Sequence, residues 1–154
     1  MSSVEHCETL FGRPGPRVRT SVGGSEIYDE TRRLWVRLTP EEWVRQSLIG
    51  YLREELGYPW GLMSVERLVD VNGMPQRADL VVNDRQGRAF LLVECKASSV
   101  QLSPEVLRQA ARYNAVLQAR YVALTNGVQS MVFDTIDPES WHYLGDSFPE
   151  YRQE

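Results

Sequence analysis

The chain has 154 residues, of which 42% are hydrophobic and 25% are charged, with a net charge of −4 and a pI near 5.3. These values predict one globular domain with a sizeable core. They exclude a membrane span, since the apolar runs are too short, and argue against a protein that coats nucleic acid indiscriminately. A local basic groove is still compatible with them, because the field near a cleft depends on local charges.

Cysteine usage and the N-terminus predict where the protein is found. Cys7 and Cys95 have neither the spacing of a zinc site nor the number needed for a disulfide framework. The N-terminus lacks the apolar segment of a secretory signal. We therefore expect a reducing, cytoplasmic location, with Cys95 as a small buried side chain of an apolar strand.

The first part of the chain is rich in residues that break regular structure. Gly12–Arg17 consists only of Gly, Arg and Pro, so residues 1–25 are predicted to be a mobile arm. Residues 26–154 are predicted to form a single domain. It begins with a short hairpin over Ile27–Leu38.

A helix start follows at Thr39, which is a capping residue, with proline at the first helical position and Glu42 three residues after the cap. The helix is predicted to end at Leu56, with Gly57 closing it. Its buried stripe is apolar at a helical period, at Val44, Leu48, Leu52 and Leu56.

The rest of the chain predicts strands and one more helix. Short turns join the first three strands, so these are antiparallel, and the second helix is a crossover long enough to make the next strand parallel. The predicted fold class is therefore α/β, with a mixed central sheet flanked by helices. The last twenty residues are expected to pack on the surface of the core. The predicted elements are strands at 65–71, 80–82, 89–93, 120–125 and 128–134 and a helix at 103–118.

Three polar residues stand at the ends of two neighbouring predicted strands. Asp79 begins an apolar strand, and Glu94 and Lys96 follow the apolar run Phe90–Val93. Because strand side chains alternate between faces, Glu94 and Lys96 point to one side of the sheet and Cys95 to the other. Two carboxylates with an ammonium beside them predict a site for a hard cation.

Purely structural roles are open for the same residues. Asp79 alone fits a hydrogen bond to a turn or an ion pair with Arg77, and Glu94 fits a salt bridge with Lys96 on a solvated face. However, Glu94 belongs to a strand expected to be central, where a charge needs a partner. Lys96 is also the only lysine of the chain. We therefore favour the metal site.

The first helix adds a further acid. Glu41 falls near the centre of the apolar stripe, where a carboxylate is unfavourable unless something positive meets it. The alternative is that Glu41 is simply favoured by the positive charge at the first turn of the helix. Because Asp79 and Glu94 are expected nearby, we favour a role for Glu41 in the site. For Glu42 we prefer the capping interaction.

This pattern fits the hydrolysis of a phosphodiester. Mg²⁺ in such sites is held by one or two carboxylates and keeps water and substrate phosphate in its shell. Asp79 and Glu94 would supply the carboxylates, and the backbone carbonyl of Cys95 would add a ligand. Lys96 would hold or deprotonate the attacking water, or contact the phosphate; the sequence leaves these roles open.

The second helix carries a polar pair one turn apart, Gln109 and Tyr113. Either they form a polar rim, or they bind phosphate or base beside the metal. Arg108 and Arg112 share an adjacent face, where contact with backbone phosphates and a solvated charged face are both open.

These residues resemble the PD-(D/E)xK nuclease superfamily. Asp79, Glu94-x-Lys96, a preceding helical glutamate and Gln109-x-x-x-Tyr113, together with the segment Thr39–Gln46, make the chain similar to the N-terminal domain family of type I restriction enzyme R subunits, in a small stand-alone form. The resemblance covers about residues 27–133. One departure is Ala78, which replaces the usual proline before the aspartate.

The resemblance implies a restriction-endonuclease-like core and Mg²⁺-dependent cleavage of DNA, with Mn²⁺ able to substitute. By resemblance, Asp79, Glu94, Lys96, Glu41, Gln109 and Tyr113 are the catalytic residues. The chain has no glycine-rich phosphate loop, so translocation driven by ATP is not expected of this chain alone.

DNA is thus the expected partner, in restriction, defence or repair. A separate protein that supplies specificity, or a homodimer that supplies two sites for two strand breaks, is a further expectation. The alternative function is a non-catalytic module that keeps the fold and binds nucleic acid or a protein; the acidic pI favours it, and the intact Asp79, Glu94 and Lys96 favour the nuclease.

Overall fold

The computed structural model describes Phe11 and residues 15–151 of the chain. This part forms two β-sheets and two α-helices, with one turn of 3₁₀-helix at Trp60–Leu62. In chain order the elements are β1 (Val18–Ser21), β2 (Gly24–Asp29), β3 (Leu34–Arg37), α1 (Pro40–Leu56), β4 (Met63–Val71), β5 (Met74–Asn83), β6 (Ala89–Cys95), α2 (Pro104–Leu117), β7 (Tyr121–Thr125), β8 (Ser130–Asp134) and β9 (His142–Tyr143).

The larger sheet has six strands in the order β4-β5-β6-β7-β8-β9. Only β6 and β7 pair in parallel, with Leu91 opposite Tyr121 and Cys95 opposite Thr125, and α2 is the crossover between them. The other pairs are antiparallel. The predicted α/β class, with a mixed central sheet flanked by helices, is confirmed.

The two helices cover opposite faces of this sheet, because strand side chains alternate. Leu91 and Val93 of β6 pack in the same cluster as Leu48 and Leu52 of α1. On the other face, Leu92 packs in the cluster of α2. Since β6 is covered on both faces, a polar side chain near its end is shielded from water as well.

The ends of α1 follow the predicted chemistry. The N–H of Glu42 donates to the hydroxyl of Thr39 at 3.0 Å, and Pro40 begins the helix. Gly57 has a φ of 75°, and its N–H donates to the carbonyl of Leu52, as a left-handed C-cap does. The predicted helix start and end are confirmed.

The structure differs from the predicted arm over residues 18–25. β1, β2 and β3 form a three-stranded antiparallel sheet in front of α1, and β2 crosses the predicted boundary at residue 26. The tight connection from Ser21 to Gly24, where Gly24 has a φ of 119°, lets this short segment fold back on itself. Residues 1–10 and 12–14 of the predicted arm, with Cys7, lie outside the described residues.

The C-terminal segment enters the core more deeply than predicted. Phe148 is only 8% exposed and joins the α1 side of the core, and the ring of Tyr151 packs against Tyr58 and Phe90. The reason is that aromatic rings after α1 and at the start of β6 would otherwise be exposed, and the rings of the C-terminal segment cover them. Cys95 is fully buried, as predicted. Among the described residues, no helix has both the length and the apolar character that crossing a membrane requires.

Candidate active site

The candidate site lies where β5 and β6 separate. Their ladder ends with the pair Leu80 and Val93, and Asp79 and Glu94 are the next residues on the two strands. The sequence predicted that Asp79 begins its strand, and this is wrong. β5 already starts at Met74, and its first residues pair with β4. The fork, rather than a strand end, therefore places the two acids together.

Hydrogen bonds from backbone groups hold both carboxylates in the fork. The N–H of Asp79 donates to Glu94 Oε1 at 3.2 Å, and the N–H of Cys95 donates to Asp79 Oδ2 at 2.8 Å. Each side chain thus accepts from an N–H that the ladder no longer pairs, which compensates its burial. The two carboxyl groups are also within hydrogen-bonding reach of each other.

Burial raises the pKa of both carboxyl groups of this pair. Burial, followed by the charge of Asp79, raises the pKa of Glu94 to about 9. Burial also raises the pKa of Asp79, against the opposing effects of the Cys95 N–H, the Glu94 side chain, Arg45 and Lys96. Glu94 is 3% exposed, so water relieves little of this repulsion.

Glu41 and Lys96 lie at the same site. Burial and then the charge of Asp79 raise the pKa of Glu41, whereas the charges of Lys96 and Arg45 lower it. Both residues are half-buried, and the backbone N–H of Lys96 donates to the carbonyl of Thr125 at 2.9 Å. The alternative salt bridge between Glu94 and Lys96 does not occur in the described part of the chain.

The polar pair of α2 reaches the site from the other face. The side-chain amide of Gln109 donates to the hydroxyl of Tyr113 at 3.0 Å, so the predicted pairing is present. Burial raises the pKa of Tyr113; its hydrogen bond with Gln109 opposes this, and the charges of Glu94 and Asp79 add to it. The tyrosine ring is 3% exposed and also contributes to the core.

The two arginines of α2 are less informative. Arg108 donates to Glu105 at 2.9 Å, and both residues are exposed. Arg112 is exposed as well. The ion pair fits the solvated charged face, and the predicted phosphate contact stays a prediction.

Sequence reasoning missed the buried residue that contacts Asp79 from α1. Arg45 is 5% exposed, and its Nη1 lies 3.4 Å from Asp79 Oδ1. Its other nitrogens donate to both oxygens of Glu42 at 2.7 Å. These contacts, with the charge of Asp79, outweigh burial and raise the pKa of Arg45. The signal was the spacing of three residues between Glu42 and Arg45.

The predicted capping role of Glu42 is only half right. Its backbone N–H does bind Thr39, but its carboxylate is 6% exposed and bound by Arg45 and, at 3.1 Å, by Arg32. Arg32 in turn binds the fully buried Asp29. A chain of charged contacts therefore links the N-terminal sheet to Asp79.

A backbone irregularity adds Glu66 to this network. Glu66 has a φ of 52°, and the register of β4 and β5 is the same on both sides of it, with Val65 opposite Leu80 and Arg67 opposite Ala78. A φ in this range is uncommon for a residue that carries a side chain. The carboxylate lies 3.2 Å from Arg32 and 3.7 Å from Arg45, so its charge offsets theirs.

The residues in the fork fit a Mg²⁺ ion better than a metal held only by protein. Among residues 11 and 15–151, no group of three or more His, Cys, Asp and Glu side chains has the arrangement of a metal site. Asp79 and Glu94 supply two carboxylates, which is the number that Mg²⁺ commonly takes when water and phosphate complete its shell.

An open groove of about 640 Å³ lies beside Arg45, the residue of α1 that contacts Asp79. It runs between β3 and the start of α1, and its walls include Arg37, Glu41, Arg45 and Ala97. A larger cavity of about 1030 Å³ lies at the other end of β6, around Ala89 and Tyr121. We associate the site with the smaller groove, because it is lined by Glu41 and by Arg45, whose Nη1 lies 3.4 Å from Asp79 Oδ1.

The fold defines an α/β domain whose mixed central sheet is flanked by helices. The sequence model for the N terminus of the type I restriction enzyme R protein matches residues 40–149. The chain belongs to this family, as its motifs indicated. The match includes Glu41, Asp79, Glu94, Lys96 and the Gln109–Tyr113 pair, and it begins after the three-stranded sheet.

A comparison with curated proteins gives no match. Among solved structures, the type IIG restriction endonuclease BpuSI is similar, with 23% sequence identity and a TM-score of 0.41. The similarity covers 66% of this chain and 11% of that chain. The similar region is therefore a small part of the BpuSI chain.

Proposed function

We propose that this protein is a Mg²⁺-dependent DNA endonuclease of the restriction type, in which Mn²⁺ can substitute for Mg²⁺. The observation that carries the proposal is the fork between β5 and β6, where the buried Glu94 lies beside the partly buried Asp79. A structural role alone would not require two carboxyl groups to lie this close together, where burial raises the pKa of each.

Asp79 and Glu94 would hold the metal, and the carbonyl of Cys95 is the proposed third protein ligand. The backbone N–H groups of Cys95 and Asp79 orient the two carboxylates through the hydrogen bonds at 2.8 and 3.2 Å. When bound, Mg²⁺ would make a water nucleophilic and neutralise charge that develops on the phosphate.

Lys96 is placed beside these carboxylates and would hold or deprotonate the attacking water, or contact a phosphate oxygen. Glu41 faces the same groove and would orient water or a metal-bound ligand from the α1 side. On the opposite face, Gln109 and Tyr113 form a hydrogen-bonded unit that would contact phosphate or base. Each assignment follows from position near the fork and from the resemblance.

DNA is the proposed substrate and partner, and family membership supports it. A restriction, defence or repair role in the cytoplasm would follow. Because cleavage of both strands needs two sites, a second copy of the chain is proposed to act with it, and a separate protein would supply sequence specificity.

One observation favours the alternative, a module that binds DNA or a protein without cutting. Arg45 lies 3.4 Å from Asp79 and supplies a counter-charge inside the protein. An internal cation of this kind reduces the need for a metal at Asp79. Titration with Mn²⁺ separates the two functions, since the module needs no metal at the fork.

Nicking of supercoiled plasmid in Mg²⁺ or Mn²⁺ tests the nuclease. We expect the wild type to nick, and Asp79→Ala and Lys96→Ala to lose at least about a hundredfold in rate, as is usual for groups that act on the transition state. Asp70→Ala, which removes an exposed acid of β4, is the matched control for Asp79→Ala. Arg85→Ala removes an exposed cation at the far end of the hairpin and matches Lys96→Ala. Undiminished nicking by both site variants would overturn the proposal.

A further inference from the structure

The small N-terminal sheet carries arginines and aromatic rings on one face. We call this the arginine face, and it consists of Arg17, Arg19, Tyr28, Trp35 and Arg37. The opposite face of the same sheet holds Ile27 and Asp29, both fully buried. The sheet is therefore anchored on one side and open on the other.

The cross-strand register places the members of the arginine face next to each other. Tyr28 lies opposite Trp35, and the N–H of Tyr28 donates to the carbonyl of Arg17. In the next row, Glu26 of β2 lies opposite both Arg19 and Arg37. Side chains in these two rows project from the same face.

Two of the guanidinium groups form cation–π contacts with aromatic rings of the same face. Arg17 stacks on Tyr28 at 4.1 Å, and Arg19 stacks on Trp35 at 4.2 Å, measured to the ring centroids. These side chains are still 61% and 49% exposed. Their ion pairs with Glu30 and Glu26 lie on the surface and hold them weakly, so phosphates can compete for them.

Arg37 differs from the other two because no carboxylate of the described residues lies within 4 Å of its guanidinium. It is exposed and lines the groove of about 640 Å³ that also contains Glu41 and Arg45. Through Arg37 the arginine face borders the groove that contains Arg45, and Arg45 lies 3.4 Å from Asp79.

From this arrangement we infer that the arginine face is a DNA-binding surface, which contacts backbone phosphates beside the cleavage site. The inference rests on the proposed function, because DNA is the ligand. Residues 15–39 carry five arginines against three acids, in a chain whose net charge is −4. This local excess of positive charge favours a polyanion over an uncharged protein surface as the partner. The planar guanidinium groups also suit contacts with phosphate. The surface precedes the family match at residue 40, so it is an addition to the matched domain.

Salt-dependent binding measures the contacts directly. The probe is a fluorescein-labelled 30-base-pair duplex, followed by anisotropy in EDTA between 50 and 200 mM NaCl, so that cleavage does not enter. Each phosphate contact contributes about 0.9 to the slope of log affinity against log salt. We expect Arg37→Ala to reduce the slope by about 1 and the triple Arg17→Ala/Arg19→Ala/Arg37→Ala variant to reduce it by about 3, with at least about tenfold weaker binding.

Two further variants keep the test sharp. Arg37→Glu leaves both ring stacks in place, so a loss of slope in this variant does not come from a disordered sheet. Arg85→Ala removes an exposed cation far from the arginine face and is expected to keep the wild-type slope. A thermal melt of each variant shows that it is folded.

The outcomes separate this inference from the nuclease. If the arginine variants keep the wild-type affinity and slope, the face binds something other than DNA and the inference is overturned, whatever the nicking assay shows. If they lose slope but the wild type never nicks with Mg²⁺ or Mn²⁺, the surface stands and the nuclease fails. A wild type that does not bind the duplex overturns the inference, and the nicking assay then decides the nuclease by itself.

Discussion

Arg45 Nη1 lies 3.4 Å from Asp79 Oδ1, and this contact joins α1 to the fork between β5 and β6. The same guanidinium donates to both oxygens of Glu42. Arg45 is therefore shared between a structural acid and a proposed metal ligand. Because it is buried, it fixes where Asp79 lies and offsets its charge in the absence of metal.

Removal of Arg45 is expected to destabilise the protein strongly. Arg45→Ala leaves the buried carboxylate of Glu42 without its main partner, and such unpaired buried charges cost about 3–5 kcal/mol. The free energy of unfolding, measured by urea titration, should fall by about this amount. Arg45→Lys keeps the charge but not the paired hydrogen bonds, so it should recover only part of the loss.

A double-variant cycle checks that the loss comes from the pair. Glu42→Gln combined with Arg45→Ala should be less destabilising than the sum of the single changes, since neither partner is then left charged and alone. Additive losses would show that Arg45 acts through packing, and not through Glu42.

The sequence predicts the local contacts of α1 but not its contacts with residues distant in the chain. Thr39, Pro40 and Gly57 act on neighbouring backbone, so the ends of α1 follow from local chemistry. Arg45 contacts Asp79 across 34 positions of the chain, and such a contact depends on the path of the sheet. Periodicity does not contain this information.

The site shows the same division. Alternation along β6 predicted that Glu94 and Cys95 lie on opposite faces, because successive side chains of a strand point to opposite sides of the sheet. The fork at Asp79 was not predicted, since β5 extends back to Met74 and pairs with β4. The left-handed backbone at Glu66 was not predicted either, because no glycine marks the position of this φ of 52°.

Stability of the metal-free protein should fall with rising pH because of Glu94. Burial and the charge of Asp79 raise its pKa from 4.5 to about 9, so between these values the folded protein holds a proton that the unfolded chain has released. The stabilisation is fully present below pH 4.5 and is lost as pH approaches 9, by up to about 1.4 kcal/mol per pH unit.

Urea unfolding in EDTA at pH 5.5, 7 and 8.5 measures this dependence. Glu94→Gln imitates the protonated carboxyl and should flatten the curve, whereas Glu55→Gln, at an exposed position of α1, should not. The attribution to Glu94 is wrong if the Glu94→Gln protein shows the wild-type slope.

Metal binding should stabilise the folded protein. A divalent ion that binds only the folded state adds about 2.7 kcal/mol at a hundred times its dissociation constant. We expect Mg²⁺ to raise the melting temperature of the wild type, and Asp79→Ala to abolish the rise. Asp70→Ala should keep it. A rise that persists in Asp79→Ala would move the metal away from the fork.

The hydroxyl of Tyr113 is expected to matter for activity more than for stability. Tyr113→Phe keeps the buried ring and removes one hydrogen bond to Gln109, so the free energy of unfolding should change by less than about 1 kcal/mol. If the hydroxyl contacts phosphate or base, the nicking rate should fall about tenfold, which corresponds to about 1.4 kcal/mol. Tyr143→Phe is the control, because Tyr143 is 53% exposed. Equal rates for Tyr113→Phe and the wild type would assign Tyr113 to packing alone.

The C-terminal segment should contribute to the core and not merely cover it. Phe148 is 8% exposed, and its ring lies 6.1 Å from that of Phe11, edge to face. Phe148→Ala removes a large ring from a packed cluster and is expected to lower the free energy of unfolding by about 3 kcal/mol. Ile136→Ala, at a position 71% exposed, should change it by less than about 0.5 kcal/mol. If both changes have equally small effects, the C-terminal segment only covers the surface of the core, as its polar sequence predicted. In that case α1 and the sheet would close the core without Phe148.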